Sequence, residues 1–239
     1  MALTKVTSGL IADNSVGLAQ LDGGTDGNLI TYDASGNPSH VATGSANQVL
    51  TSNGAGAAPT FQSVHAALPS GSVMEEIALI QNGSSQTVSS GTYTAGNVTT
   101  LQTLTDSDAD VTGSSINYTP PSGATRVIYS LQLQYSYTST NAIAHFKTYL
   151  DSDEVTNARH TISSGLQEGV HNLSWVFAIG GSADTATGKV ASWSSAKLIK
   201  VQARRFSSGY PTKLHQTTNW DGAGSSQLRL PILTVRAIK

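Results

Sequence analysis

The sequence contains no cysteine, so no disulfide can staple the fold and no thiolate can act as nucleophile or metal ligand. It is also short of charge. Lys, Arg, Asp and Glu make up 12% of the 239 residues, about half the usual share. No apolar run approaches the roughly 20 residues needed to cross a bilayer, and the start lacks the charged-then-apolar order of a secretory signal. These absences lead to the expectation of assembly in a reducing cytoplasm, without membrane insertion. Catalytic patterns are missing as well. The six histidines (His40, His65, His145, His160, His171, His215) show no metal-ligand spacing, and no Gly-x-Ser-x-Gly elbow occurs. Glu75 and Glu76 are adjacent on a presumed strand, so they point to opposite faces and do not flank one bond. No enzyme, no cofactor and no metal is the expectation.

What the chain does have is a repeat. Gly24–Gly36 returns as Gly44–Gly56, so that Leu29, Ile30 and Thr31 fall on Val49, Leu50 and Thr51, and Asp33 falls on Asn53. One extra residue then shifts Pro38 to Pro59 and His40 to Phe61. Each copy reads as a short strand, a polar Gly/Asn/Asp turn and a second strand after the proline. A hairpin this small has too little apolar surface to stand alone in water. Two copies in a chain predict neighbours arranged around an axis, as a thin fibrous segment made by several chains.

The second copy also resembles something known. Asn47-Gln48-Val49-Leu50-Thr51-Ser52-Asn53-Gly54-Ala55-Gly56-Ala57-Ala58-Pro59-Thr60-Phe61 resembles the QVLTSNGAGAAPTW repeat of tailed-phage fibre and virion proteins. The match covers 15 residues, with Phe61 in the place of the final Trp. Met1–Val6 and Ile11–Val16 are similar to the N-terminal ends of marine and cyanophage fibre-like proteins. From about residue 67 the chain looks like the compact β-domains that end such proteins. The resemblance implies a structural protein of the virion, assembled in the host cytoplasm, without saying which part of the particle it builds.

Beyond the repeats, strand signals are frequent. In Arg126–Tyr137 the residues Val127, Tyr129, Leu131, Leu133, Tyr135 and Tyr137 all take odd positions, with Ser130, Gln132, Gln134 and Ser136 between them. His171–Ile179 alternates through Leu173, Trp175 and Phe177. Leu198–Phe206 and Gln227–Ile238 carry apolar residues on both faces. Val73–Ile80, Ser85–Thr94, Ser115–Pro120, Ala142–Leu150, Val155–Ile162 and Thr212–Thr217 complete about ten strands. Short strands separated by Gly/Ser/Asn/Asp turns predict a sandwich or barrel. The expected fold is all-β: an extended attachment arm (1–23, with a helix at Ser15–Leu21 the alternative for part of it), a β-repeat fibrous segment (24–66) and a jelly-roll-like sandwich (67–239). Gln62–Gly71 reads as the linker.

Charge is divided along the chain. Residues 1–125 hold one basic residue against nine acids, and residues 126–239 hold 12 basic against six acidic. Blocks of opposite sign suggest complementary contacts between subunits or with neighbours; a basic solvated rim is the other reading. Nucleic-acid binding is not expected, because the basic residues are scattered without an aromatic platform. Asp106, Asp108 and Asp110 alternate like a calcium loop, but Val111 and Asn117 stand where that loop needs Gly and Glu. Asp151, Asp153 and Glu154 form a second acidic turn.

The candidate binding residues are distal: Trp193, Tyr210, Asn219, Trp220 and Asp221. Sugar rings stack on aromatic faces while Asn and Asp bind hydroxyls, so the group reads as a receptor site for a host surface polysaccharide; the alternative is tryptophans that seal the barrel ends. Two functions fit. One is a homotrimeric tail fibre, joined to other virion proteins through residues 1–23. The other is a capsid decoration or head-fibre protein that clamps or caps coat subunits.

Overall fold

The structure, a computed structural model, describes residues 23–36, 38–137, 141–165, 167–218, 220–222 and 224–239. The expected arm and its helix alternative therefore lie outside the described residues, save Gly23. Two compact units divide at Ala67 and Leu68.

The first unit carries both repeats as antiparallel hairpins. Strand β1 (Leu29–Tyr32) pairs with β2 (Pro38–Val41), and β3 (Gln48–Thr51) pairs with β4 (Thr60–Ser63). The sequence equivalence of His40 and Phe61 holds in three dimensions. The His40 ring lies over Gly24, and the Phe61 ring lies over Gly44 so closely that a Cβ there would sit 2.5 Å from Phe61 Cγ. Leu29, Ile30, Tyr32, Val49 and Leu50 remain exposed, Ile30 at 54% and Tyr32 at 68%. The expected linker is partly ordered instead. Gln62 and Ser63 belong to β4, and Val64–Ala67 form one turn of helix, α1, with Ser63 Oγ accepting from Ala66 N at 3.2 Å. A serine at the start of the turn supplies that cap.

The second unit is an eight-stranded jelly roll with accessory strands. In chain order the strands are β5 (Val73–Ile80), β6 (Ser85–Val88), β7 (Gly91–Thr94), β8 (Gln102–Thr103), β9 (Ala109–Asp110), β10 (Ile116–Tyr118), β11 (Arg126–Tyr137), β12 (Ala142–Leu150), β13 (Asp153–Ser164), β14 (Glu168–Ala178), β15 (Lys197–Arg205), β16 (Thr212–Leu214), β17 (Gln216–Thr218), β18 (Ser226–Leu228) and β19 (Ile232–Ile238). One sheet runs β5–β19–β11–β14 and the other β10–β15–β12–β13, all antiparallel. Counting the eight principal strands in sequence, the orders are 1-8-3-6 and 2-7-4-5, which is the jelly-roll arrangement of two Greek keys.

Strand β11 is the centre. It pairs with β14 over Arg126–Ser136 on one side, and with β19 and then β16 on the other. Its odd-numbered side chains fill the space between the sheets, with Val127 and Leu131 at 0% exposure and Tyr129 and Leu133 at 1%. Each such side chain contributes roughly 1.5–3 kcal/mol by leaving water. Phe146, Ile199 and Val201 meet them from the other sheet.

Several expected strands are divided. Ser85–Thr94 is a hairpin, because Gly91 takes φ 151 beside a tight turn. Thr212–Thr217 is broken by His215 at φ 64, and Gln227–Ile238 by Pro231, whose ring removes a ladder donor. Strands β15 and β19 are each buried on one face rather than both. Both ends of the unit meet: Gly71 N donates to Lys239 O at 2.7 Å and Lys239 N to Ser72 O at 2.9 Å.

The Leu68 end of the sandwich contains a buried carboxylate. A bulge at the start of β5 turns Glu75 inward, at 8% exposure, while Glu76 faces out to Arg236. Glu75 accepts from Ser89 Oγ at 2.6 Å, Ser90 N at 3.1 Å, Ser90 Oγ at 2.5 Å and Tyr118 OH at 2.7 Å. Burial, reinforced by this bond to Glu75, pushes the Tyr118 phenol far above its ordinary range. The Glu75→Ala variant strands several buried donors at about 1–3 kcal/mol each. Urea denaturation should show a loss of about 3 kcal/mol or more, with Glu75→Gln losing less because it retains an acceptor.

Candidate functional site

The candidate residues do not form one site. Trp193 is buried at 6% exposure. Its Nε1 donates to Tyr118 O at 2.9 Å, and its ring stands edge-on to Phe177 and Tyr118 with centroids 6.0 and 6.5 Å away. It closes the core near Arg126, because Phe177 pairs with Val127 there. With its surface enclosed, Trp193 presents no face to a ligand and leaves the binding set. It has the sealing role.

Trp220 is placed at the opposite end. After β16 has paired with the last residues of β11, His215 reverses the strand in the left-handed region, and β17 runs outward past Gln134. β17 pairs with β18, and Trp220 lies in the loop joining them, 71% exposed. Ser225 orders that loop. Its carbonyl accepts from Trp220 N at 3.3 Å, and its Oγ accepts from Asp221 N at 2.9 Å while donating to Gly222 O at 3.0 Å. Asp221 is exposed beside the indole. Asn219 lies outside the described residues.

Charge-assisted bonds fix this hairpin at its loop end and at its base. Glu168 accepts from Thr218 N and from Thr218 Oγ1, the latter at 3.2 Å, and Arg229 Nη1 donates to Gln134 Oε1 at 2.7 Å. Beside it a shallow cavity of about 370 Å³ is bordered by Leu101, Gln216, Gln227 and Leu228. Tyr210, half-buried, belongs to a second aromatic group near the end of β15. Its ring meets Phe206 edge-on at 5.6 Å, and Phe206 meets His145 at 5.8 Å. Phe206 is 52% exposed and was not among the candidates. The signal for it was its position, the last apolar residue of an alternating strand running into a Ser-Ser-Gly turn.

Most acids of the two turns are paired within the chain. Asp106 pairs with Arg205 at 2.8 Å, Asp108 with Lys147 at 2.6 Å, and Asp110 with Lys200 at 2.9 Å and with Gln202. The bond from Gln202 holds the Asp110 carboxyl below its usual range. Asp151 accepts from Lys197 and from Leu198 N. Among the described residues no group of three or more His, Cys, Asp or Glu is placed to hold a metal. These pairs also show where the divided charge goes. Five of the seven ion pairs among the described residues join an acid before residue 126 to a base after it, within the chain.

No protein-family model matches the chain, and no curated protein matches it. Solved structures do. "Structure of infectious bursal disease virus Gt strain" aligns at 9% identity and a TM-score of 0.32, covering 84% of this chain and 44% of that one. The Gx strain of the same virus gives 10% and 0.33, covering 85% and 43%. "Crystal structure of infectious bursal disease virus VP2 subviral particle" gives 11% and 0.30, covering 84% and 44%. The chain spans less than half the length of each. Superposition at this level adds nothing to the strand order already described.

Two outcomes follow from the placements. Trp193→Ala should lose roughly 3–5 kcal/mol of stability, and Trp220→Ala about 0.5 or less, both read by chemical denaturation. The second concerns acid. Burial lowers the pKa of His215 from 6.5 to about 4, and burial together with the neighbouring His160 lowers His171 to about 4. The unfolded chain takes up these protons first, so stability is complete above pH 6.5 and is lost as pH falls toward 4. For fully buried His215 the loss is about 3 kcal/mol. Melting temperature should drop over that interval, and less so in His215→Met.

Proposed function

We propose that the chain is a structural protein of a phage particle, a homotrimeric tail fibre that attaches to host surface glycans. The virion assignment rests on the fibre-protein repeat at residues 47–61, carried on a real hairpin, and on a low-charge jelly roll. The tail-fibre reading rests on one observation. The chain enters the jelly roll at Leu68, next to the Arg126 end of β11, and Trp220 stands exposed beyond the Tyr137 end. Attachment through residues 1–23 and host contact at the Trp220 loop would then use separate parts of the chain.

An exposed indole with Asp221 and ordered serine groups beside it has the chemistry of a saccharide contact. Apolar ring faces stack, and the carboxylate and hydroxyls orient sugar hydroxyls. Asn219 remains a member of the proposed site by its place in the sequence, and Tyr210 with Phe206 is a separate candidate contact.

The reading of a capsid decoration protein is favoured by a different observation, the middle of the outer face of the β5–β19–β11–β14 sheet, where Ser130, Ser174 and Thr234 lie in a row beside exposed Val176 and Ile232, which suits packing against other subunits. Gold-labelled antibody on intact particles separates tail from capsid. In the fibre reading, purified wild-type protein blocks phage adsorption to host cells. Trp220→Ala protein, with its melting temperature unchanged, blocks at least about tenfold less well, as expected when a stacking contact of 1–3 kcal/mol is removed. Equal blocking by the two proteins, or label confined to the head, would overturn it.

A further inference from the structure

The two sheets of the jelly roll part along the side where β13 and β14 approach each other. These strands follow one another in the chain but belong to different sheets. Along β12 the register passes from the Phe146–His160 pair to the Thr148–Val155 pair, so residues 156–159 of β13 have no partner on β12. Asn157 N donates instead to Ala186 O at 3.0 Å. Between the bulged strand and β14 lies a cavity of about 360 Å³. That is the small end of the range for ligand sites, about 300–1,000 Å³, and suits a molecule of about one or two sugar rings.

Core residues Tyr129 and Leu173 give the cavity an apolar floor, and one polar group is set in it. Thr148 shares the buried face of β12 with Phe146 and Leu150 and is 4% exposed. It lines the cavity, and its hydroxyl has no hydrogen-bond partner among the described residues. A buried hydroxyl left in that state costs free energy that a bound polar group recovers. Trp175 forms a wall from β14. Its Nε1 donates to Thr187 O at 2.9 Å, which fixes the indole and leaves its apolar ring to the cavity. His160 comes from β13, its ring held against His171 with centroids 4.6 Å apart. Asn157 and Asn172 add amides. Gln132 already bonds to Asn172 Oδ1, so the Asn172 N–H groups remain to donate. No Asp or Glu lines the cavity, and its one guanidinium, Arg159, is bonded to Glu154 at 2.6 Å.

We propose that this cleft is a binding site for an uncharged saccharide, separate from the Trp220 loop. Each part of it answers a part of a pyranose. The Trp175 ring takes the apolar C–H face of the sugar, while Thr148 and the Asn157 and Asn172 amides bond its hydroxyls. A purely apolar ligand would fit the indole but leave the Thr148 hydroxyl stranded. A carboxylated one would meet Glu154 beside the only cation, where like charges repel. The indole is held before anything binds, so little ordering is left to oppose binding. The site adds a second saccharide contact to the attachment proposed above and uses none of the residues of that loop.

The chain's three tryptophans are Trp175, Trp193 and Trp220. Full-length protein carrying fluorotryptophan therefore gives one fluorine resonance for each, assigned by changing each in turn to phenylalanine. Galactose, glucose, N-acetylglucosamine and glucuronic acid are titrated separately. At least one of the neutral sugars should move the Trp175 resonance saturably, and glucuronic acid should bind more weakly. Thr148→Val keeps the shape of the floor and removes its hydroxyl. It should weaken that binding about fivefold with melting temperature unchanged, as for one lost hydrogen bond. Should Thr148→Val fold poorly, Asn157→Ala, at an exposed position, decides by the same loss. A Trp175 resonance that no neutral sugar moves, tighter binding of glucuronic acid, or full affinity in the folded variant overturns the cleft. Shifts confined to Trp220 overturn the cleft and leave the proposed attachment loop standing; shifts confined to Trp175 do the reverse.

Discussion

Everything in the jelly roll depends on β11 having strands on both sides. Twelve residues of strict alternation leave six apolar side chains on one face, and that face is useful only when a second sheet covers it. Because β11 takes β14 on one flank and both β19 and β16 on the other, three distant parts of the chain must arrive before it is complete. Non-local pairing of this kind folds slowly, since loop closure precedes the contacts that reward it. The tight Glu75 cluster fits this frame. It fixes the first strand to the Ser89–Ser90 turn and to Tyr118, joining three early segments of the unit.

The division of charge along the chain follows from the same topology. A jelly roll lays its first strands beside its last, so an acidic first half and a basic second half become neighbours. Asp106, Asp108 and Asp110 sit against β15 and β12, and Glu76 sits against β19. The asymmetry reads in sequence as contacts with subunits or neighbours, or as a basic solvated rim; five ion pairs within the chain take up part of it. Exposed pairs of this sort contribute little each, about 0–1 kcal/mol.

Strand existence was legible in the sequence, and strand interruption was less so. Arg126–Tyr137, Val73–Ile80 and Ala142–Leu150 match residue for residue, because period-two alternation is a local property. The break at His215 was invisible, since a histidine gives no sign that it will adopt φ 64; its cause is the turn by which one strand leaves β11 and a hairpin begins. The two tryptophans show the same limit at the site. Trp193 lies among serines and Trp220 among Asn, Asp and Gly, all turn-forming residues, and composition treats them alike. What separates them is the Tyr118 carbonyl, 75 residues away in sequence, which one indole reaches. Burial decided by a distant partner cannot be read from a window. Leu29, Ile30, Val49 and Leu50, by contrast, were legible as hairpin residues, and the unit leaves them exposed.

The pairing of Gly71 and Ser72 with Lys239 brings the beginning and the end of the jelly roll to one point, sharing two backbone hydrogen bonds. A module whose entry and exit coincide is a cassette. It can be carried at the end of another protein or spliced into one of its surface loops without stretching either strand. It can also be joined head to tail and reopened at an exposed turn such as Asp151–Ser152 without disturbing the order of the sheets. The same eight strands are thereby available as a transferable module, independent of the hairpins that precede them.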